Sequence, residues 1–392
     1  MTAAAPQRLY GLDVARIVLV ILVVMAHVGM TYISLPVWAA YDGFDMIVAL
    51  QVFLAQLSIM ITFFLISGFA ARALFVGKGE AFFIRDRLIR IVLPLIVFGL
   101  GYYAVVPFIW RLGDRAITRY GTGVADGFNP VIQFPLTHLW FLYVIAIFYA
   151  LTVALVRVRS TIPAWIDRWM ALAVNSWITP LLFGLPIAAA MTLFRGWDPM
   201  TSIPPSTLVP SVHVLVAFGA AYLYGWYCHR QPELLGVLAR RWAWLLAGAL
   251  LMLPLYFAVV WTWPIDIWTS RKLERLPYAL AFGVLSWTVS LAGLSAALRF
   301  ARRPGPVVRF LSASSYWVYI AHMIPALLLP ILMLPLPLPP LVKYLIASAG
   351  SMALLLVSYR WLIRGGPIDR WLNGPAKLAR PATPAASPAT AA

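Results

Sequence analysis

Long apolar segments and short polar segments follow one another along this chain. Runs of about 20 or more apolar residues are separated by short stretches that carry charges, proline or glycine. A helix of about 20 apolar residues crosses a hydrocarbon core, whereas a β-barrel strand needs only about 9–11. The pattern predicts an all-α, polytopic membrane protein with about ten transmembrane helices. The predicted spans are approximately residues 12–34, 46–76, 88–110, 138–156, 174–194, 211–228, 242–262, 276–298, 310–334 and 337–363.

Composition supports the same class of protein. The chain is 62% hydrophobic and 11% charged, whereas soluble domains average roughly 45–50% and about 25%. The first apolar run, Ile17 to Leu35, exceeds the usual 7–15 residues of a signal-peptide core and contains a histidine, so we expect it to be retained as a span. The single cysteine, Cys228, excludes an internal disulfide and a multi-thiolate metal site. No metal is expected.

The formal net charge of +17 has a topological explanation. With the N-terminus inside, the predicted inner segments hold 19 Lys and Arg residues and the outer loops hold 7. Because cytoplasmic loops collect Lys and Arg, both termini are predicted to be cytoplasmic. Membrane lipids are therefore the expected surroundings of this multi-pass protein, and a nucleic-acid partner is not expected.

The domain organisation is simple. Residues 1–373 are predicted to form one transmembrane domain, and residues 374–392, rich in Pro, Ala and Thr, a disordered cytoplasmic tail. We find no Walker loop, Rossmann fingerprint or internal repeat. The sequence leaves the oligomeric state open.

Two ionisable groups lie on one face of the first span. Arg16 and His27 are eleven residues apart, which at 100° per residue returns to within about 20° of the same face and separates them by about 16 Å along the axis. Asp13 precedes Arg16 by three residues and is expected to pair with it. Snorkelling explains Arg16 alone and packing explains His27 alone, but their common face favours a path from the inner surface to an imidazole.

A second basic feature precedes the third span. Arg87 and Arg90 are three residues apart on a predicted inner helix end, a geometry suited to phosphate oxygens. The preference of inner segments for arginine explains them equally well. A phosphate site here would lie at the cytoplasmic end of the Arg16–His27 face.

Two further spans carry polar residues. His138 and Trp140 are expected at the outer surface where the fourth span begins. In the ninth span, Ser315, Tyr319 and His322 share one helical face, and His322 lies about 18 Å from the inner end, close to the depth of His27. The outer-loop tryptophans are typical of an interfacial belt, and stacking platforms for a carbohydrate are the alternative.

These groups suit acyl transfer across the membrane. A neutral imidazole can accept a proton from a sugar hydroxyl, and a second polar group can orient it or stabilise the oxyanion. A basic inner face would bind the phosphates of an acyl-coenzyme A. The alternative is a transporter or flippase for an anionic metabolite or lipid-linked glycan, in which the same groups form a relay. A membrane acyltransferase acting on a lipid or antibiotic hydroxyl is a third possibility.

The motifs "RLYGLDVARIVLVILVVMAH", "FFLISGF", "RDRLIRIVLP", "HLWFL" and "SSYWVYIAH" resemble those of the membrane acyltransferases of acyltransferase family 3. Their order and spacing, with the late "RWLIRGGPIDRWLNGP", are most similar to the osmoregulated periplasmic glucan succinyltransferase branch. The O-antigen-acetylating branch fits less well, because its Glu-containing outer motif and appended hydrolase-like domain have no counterpart here.

The resemblance implies a bacterial inner-membrane location, acyl-CoA, as succinyl-CoA or acetyl-CoA, as the cytoplasmic co-substrate, and a periplasmic glycan as acceptor. It implies His27 as the catalytic residue and Arg16, Arg87 and Arg90 as donor contacts, with Asp13 beside Arg16. We add His322 and His138 as catalytic candidates. Trp140, Ser315 and Tyr319 are the candidates for orienting substrate.

Overall fold

A computed structural model describes residues 10–33, 38–120, 136–158, 163–194, 209, 212–263, 270–301 and 305–374. Within these ranges every regular element is a helix. The α-helices are α1 (Tyr10–Gly29), α2 (Met46–Lys78), α3 (Glu80–Arg87), α4 (Leu93–Tyr120), α5 (Trp140–Val158), α6 (Ala164–Asn175), α7 (Thr179–Leu193), α8 (Val212–Arg230), α9 (Glu233–Arg240), α10 (Trp242–Thr262), α11 (Leu276–Phe300), α12 (Pro306–Ala321), α13 (Met323–Met333), α14 (Pro340–Ser358) and α15 (Pro367–Asn373). Short 3₁₀ turns occupy Met30–Tyr32 and Thr137–Leu139, and π-helical turns occupy Leu88–Val92 and Tyr359–Ile363.

The all-α, polytopic class is confirmed. Among the described residues, seven helices are long and apolar enough to cross a membrane, or nine if two bent helix pairs each count as one span. The helix at the sixth predicted span, α8, is present but is not among them. Residues 375–392 of the predicted tail lie outside the described residues.

The ninth predicted span, 310–334, is present but is broken. It consists of α12 and α13, which meet at an angle of 68° with the break at His322. Pro325 explains the break, because it has no N–H to donate to the carbonyl of Ala321 and its ring crowds that carbonyl. The fifth span is also preceded by a break, since α6 and α7 meet at 105°.

Two of the inner segments between the predicted spans contain helices. The segment 77–90 contains α3 and the start of a π-helical turn, and 229–241 contains α9. The late motif after the last span forms α15. These helices are short and partly charged, so apolar run length could not reveal them.

Glycines allow the closest helix crossing. A Cβ added at Gly68 of α2 would lie 1.9 Å from the Tyr222 carbonyl oxygen of α8, and one added at Gly225 would lie 1.8 Å from that of Leu65. Small residues let backbones approach in membrane proteins, where packing replaces the hydrophobic effect between helices. The crossing fixes α2 against α8.

Candidate functional site

Arg16 contacts Asp13 and Ser312 at the start of α1. Its guanidinium donates to the Asp13 carboxylate at 3.1 Å and to the hydroxyl of Ser312 on α12 at 2.7 Å. A further bond reaches the Ser312 carbonyl at 3.2 Å. The predicted Asp13–Arg16 pair is therefore confirmed. The Arg16 side chain stays 37% exposed, so the held guanidinium remains accessible to an anion.

His27 and His322 meet at the other end of the same two helices. Their ring centroids are 4.7 Å apart with an interplanar angle of 70°. Arg16 contacts Ser312, and His27 contacts His322. The two contacts are eleven residues apart on α1 and ten residues apart along α12, so the two helices run parallel over about 15–16 Å. The sequence expectation that the two imidazoles lie at one depth is confirmed. A side chain from α1 and one from the helix break thus share a level.

His138 joins this pair instead of lying at the outer surface, so that expectation is wrong. It is 5% exposed, and its ring centroid lies 4.6 Å from that of His322. Its Nε2 donates to the Ile320 carbonyl at 2.9 Å, and Tyr102 Oη donates to the same oxygen at 2.6 Å. The break after α12 removes part of the regular helical bonding, and these two side chains satisfy the carbonyl.

The hydrogen bonds fix which nitrogen of each neutral imidazole carries the proton, because a carbonyl can only accept. His27 Nδ1 donates to the Val23 carbonyl at 2.8 Å, and His322 Nδ1 donates to the Tyr319 carbonyl at 2.7 Å. Both residues therefore keep the Nε2 lone pair. His138 has the opposite tautomer, and its Nδ1 accepts from Thr137 Oγ1 at 3.3 Å. His27 and His322 can accept a proton, whereas His138 already uses both nitrogens.

The backbone before His138 is strained. Thr137 has φ of +44°, and among the described residues it is the only non-glycine with positive φ. A β-branched residue in this region is an outlier that costs about 1–3 kcal/mol. Such strain persists where the surroundings demand it, and here the surroundings are the bonds that hold His138 against α12.

Tyr319 and Ser315 have different positions. The Tyr319 hydroxyl donates to the His138 carbonyl at 2.8 Å, so it supports the histidine cluster formed by His27, His138 and His322. The Ser315 hydroxyl donates to the Ser312 carbonyl within its own helix at 2.9 Å. Trp140 packs on Phe64 and Phe218, at centroid distances of 6.4 and 5.9 Å, and within the described residues its ring does not stack on the cluster. Of these three candidates, only Tyr319 reaches the cluster.

Arg87 and Arg90 are joined by Asp86. The Asp86 carboxylate lies 3.7 Å from Arg87 Nη2 and 3.2 Å from Arg90 Nε. The Arg87 guanidinium also lies over the Tyr149 ring, 4.9 Å from its centroid. A π-helical turn begins directly after Arg87 and contains Arg90, so the two side chains do not follow ordinary α-helical spacing. They still belong to one ionic cluster.

The π-helical turn is attached to α12 next to Ser312. Tyr316 Oη donates a short hydrogen bond to the Arg90 carbonyl, and Tyr316 lies one turn beyond Ser312. Trp371 of α15 donates to the Ile89 carbonyl at 2.7 Å, and Asn373 donates to the Ala313 carbonyl at 3.0 Å. Arg16 and Arg90 are thus fixed to adjacent turns of α12.

Sequence reasoning missed four residues that build this site: Ser312, Tyr316, Tyr102 and Trp38. Ser312 had a signal, because it precedes His322 by nearly the interval that separates Arg16 from His27. Trp38 was noted only as one of several outer tryptophans, yet its ring centroid lies 6.0 Å from that of His27. Tyr102 gave no signal, since it contacts α12 through the fold alone.

A cavity of about 620 Å³ lies elsewhere, between α1, α2 and α11. Its lining includes Leu19, which is about 60° around α1 from Arg16, together with Val18 and Leu22 on the far side of the helix. None of the predicted site residues lines this apolar cavity.

Comparison with known protein families gives a match over most of the chain. A family model described as an acyltransferase domain, that of acyltransferase family 3, matches residues 9–360. The chain belongs to acyltransferase family 3. The matched range includes the arginine pair, all three clustered histidines and both contacts of Arg16 on α1 and α12. No curated protein and no solved structure matches it.

The protein is therefore an acyltransferase of the membrane, with several membrane-spanning helices. In this acyltransferase, the basic groups and the histidines occupy opposite ends of the contact between α1 and α12. Arg16 and His27, eleven residues apart in the sequence, therefore occupy two separate positions in the fold, and each of them is in contact with α12 or with the break that follows it.

Proposed function

We propose that this acyltransferase transfers an acyl group from cytoplasmic acyl-CoA to a hydroxyl of a periplasmic glucan or other glycan, in a bacterial inner membrane. The observation that carries the proposal is the parallel contact of α1 and α12. At one end of this contact lies the partly exposed guanidinium of Arg16. At the other end lie the imidazoles of His27 and His322, whose Nδ1 atoms are bonded and whose Nε2 lone pairs can accept a proton.

The arginine end suits the nucleotide part of the donor. Arg16, Arg87 and Arg90 each contact a carboxylate, which orients the guanidinium, and a planar guanidinium suits phosphate oxygens. Phosphates bound there would lie about 15–16 Å from the histidines along α1. That separation leaves the intervening face for the pantetheine arm and thioester.

The histidine end suits proton transfer. In the proposal, His27 Nε2 accepts the proton of the acceptor hydroxyl while the hydroxyl oxygen attacks the thioester carbon. His322 shares the level of His27 and presents a second lone pair. His138 acts as a positioning residue, because both of its nitrogens are already bonded. Tyr319 supports His138 through its hydroxyl.

Succinyl is the proposed acyl group and a glucan the proposed acceptor because the motifs resemble the glucan succinyltransferase branch. The excess of Lys and Arg in the predicted inner segments supports donor binding from the cytoplasmic side.

Reconstituted vesicles test the proposal. Purified protein is placed in vesicles with labelled succinyl-CoA on the side of Arg16 and a periplasmic-type glucan on the other side. We expect labelled ester on the glucan, and the same assay with acetyl-CoA distinguishes the acyl group. Movement of solute without ester formation would contradict an enzymatic function. Ester formation only with a lipid acceptor would contradict the proposed acceptor.

A further inference from the structure

The indole of Trp38 carries an unused hydrogen-bond donor beside His27. Trp38 Nε1 is buried and has no acceptor within the described part of the chain. Two rings pack on His27 there, those of Trp38 and His322. His322 already donates its only ring proton to the Tyr319 carbonyl, so the Trp38 N–H is the free donor of the pair.

A second buried atom completes a complementary arrangement. His322 Nε2 is likewise buried and has no partner among the described residues. Leaving a buried donor or acceptor unpaired costs about 1–3 kcal/mol, so each such group needs a reason. A donor and an acceptor lie on two rings that both pack against the proposed base. Together they fit a ligand that offers an oxygen and a hydroxyl.

The segment that carries Trp38 is firmly anchored. A Cβ added at Gly113 of α4 would lie 2.0 Å from the Ala39 carbonyl oxygen, so α4 packs directly on this backbone. The Asp42 backbone N–H donates to the Thr31 carbonyl at 2.9 Å, and the buried Lys343 ammonium donates to the Asp42 carboxylate at 2.8 Å. Burial raises the pKa of the Asp42 carboxyl, and the bond from Lys343 partly offsets that.

Trp110 of α4 also packs on the indole. The two tryptophan rings meet edge to face with centroids 5.7 Å apart. The Trp38 indole is thus held between Trp110 and His27. A donor fixed in this way does not have to reorganise when charge develops next to it, which is the condition for effective electrostatic stabilisation.

We infer that Trp38 Nε1–H binds the carbonyl oxygen of the acyl group being transferred and stabilises the oxyanion formed during transfer. The inference rests on the proposed function. The acceptor oxygen bonds to the thioester carbon, its proton passes to His27 Nε2, and the carbonyl oxygen becomes an oxyanion next to Trp38. The carbon–sulfur bond then breaks, and the sulfur takes the proton from His27 to leave as the free thiol.

An isosteric replacement isolates the N–H. β-(3-Benzothienyl)alanine at position 38 keeps the shape of the ring and puts sulfur in place of the N–H, and Trp38→Phe is the simpler second variant. Removing one such donor lowers kcat by roughly 10²–10³-fold, and we expect a loss of that order with an unchanged KM for acyl-CoA. Trp263→Phe is the matched control, because Trp263 donates to the Glu274 carbonyl outside this site.

Hydrolysis of acyl-CoA by water, measured in parallel, identifies the contact. A carbonyl contact predicts that transfer and hydrolysis fall by the same factor. A fall in transfer alone, with a raised KM for the glycan, would mean that Trp38 binds the acceptor and would overturn the inference. Full activity of the benzothienyl variant would also overturn it. If the unmodified protein transfers no acyl group, the proposed function fails, which differs from an active enzyme that is insensitive at position 38.

Discussion

The imidazole rings of His27 and His322 meet edge to face, 4.7 Å apart, although 295 residues of sequence separate them. Each ring donates Nδ1–H to a carbonyl of its own helix, three or four residues earlier. The two side chains therefore present the same tautomer to a common space. Within the proposed function, this pair is where the acceptor hydroxyl loses its proton.

His322→Asn tests the role of the His322 Nε2 lone pair separately from that of the Nδ1 hydrogen bond. The asparagine amide can still donate to the Tyr319 carbonyl, but it lacks the Nε2 lone pair. We expect kcat to fall by roughly 10²–10⁴-fold, the usual value of a general acid–base group, with little change in the KM for acyl-CoA. Steady-state kinetics measure both. Full activity would exclude His322 from proton transfer, and His213→Asn, at the start of α8 beside Phe194, is the control.

Arg16→Lys tests the donor end. Lysine keeps the charge but cannot bridge Asp13 and Ser312 while also binding phosphate. We expect the affinity for acyl-CoA to fall about tenfold, or roughly 1.4 kcal/mol, with a smaller effect on the affinity for the dephosphorylated pantetheine thioester. Isothermal titration checks this. Equal losses for both ligands would argue against phosphate binding, and Arg299→Lys on α11 serves as the control.

The pair formed by Asp42 and Lys343 anchors the Trp38 segment. Lys343 is 4% exposed, and removing one partner of a buried ion pair costs about 3–5 kcal/mol because the other charge is left unpaired. Asp42→Asn should therefore lower the apparent Tm strongly. The double variant Asp42→Asn with Lys343→Met should recover most of the loss. Additive losses in this thermal double-mutant cycle would show that the pair does not act as a unit.

The close crossing of α2 and α8 at Gly68 can be tested with two glycine variants of α2. Gly68→Ala should lower the apparent Tm and the yield of folded protein, because the new methyl group would overlap the Tyr222 carbonyl of α8. Gly77→Ala, also in α2, should have no such effect, since nothing lies within 4 Å of its added Cβ. A similar response of both variants would contradict the close packing of α2 on α8.

Much of the fold follows from apolar run length. The spans were predictable because a bilayer demands about 20 apolar residues per crossing. The break at His322 was not, since Pro325 lies within an otherwise continuous apolar run and proline is tolerated in transmembrane helices. The π-helical turn at Arg90 also lacks a sequence signature. In the structure Arg87 and Arg90 are also joined through Asp86, which the spacing of the two arginines alone did not predict.

Only those site residues that share one helix could be placed relative to each other from the sequence. Arg16, Asp13 and His27 share α1, so helical geometry was sufficient to place them. His138 was misplaced because its contacts are with the carbonyl of Ile320, which only the folded chain brings near. Trp38 could not be distinguished from the other outer tryptophans, because its proximity to His27 depends on the packing of Ala39 against Gly113.

The central claim is that His27 Nε2 takes the proton of the acceptor hydroxyl. The most direct measurement is single-turnover transfer of a labelled acyl group from acyl-CoA to glucan by His27→Asn, whose amide can still donate to the Val23 carbonyl. We predict a rate constant lower by roughly 10²–10⁴-fold at every pH, with acyl-CoA binding unchanged. Transfer at the rate of the unmodified enzyme would contradict the account.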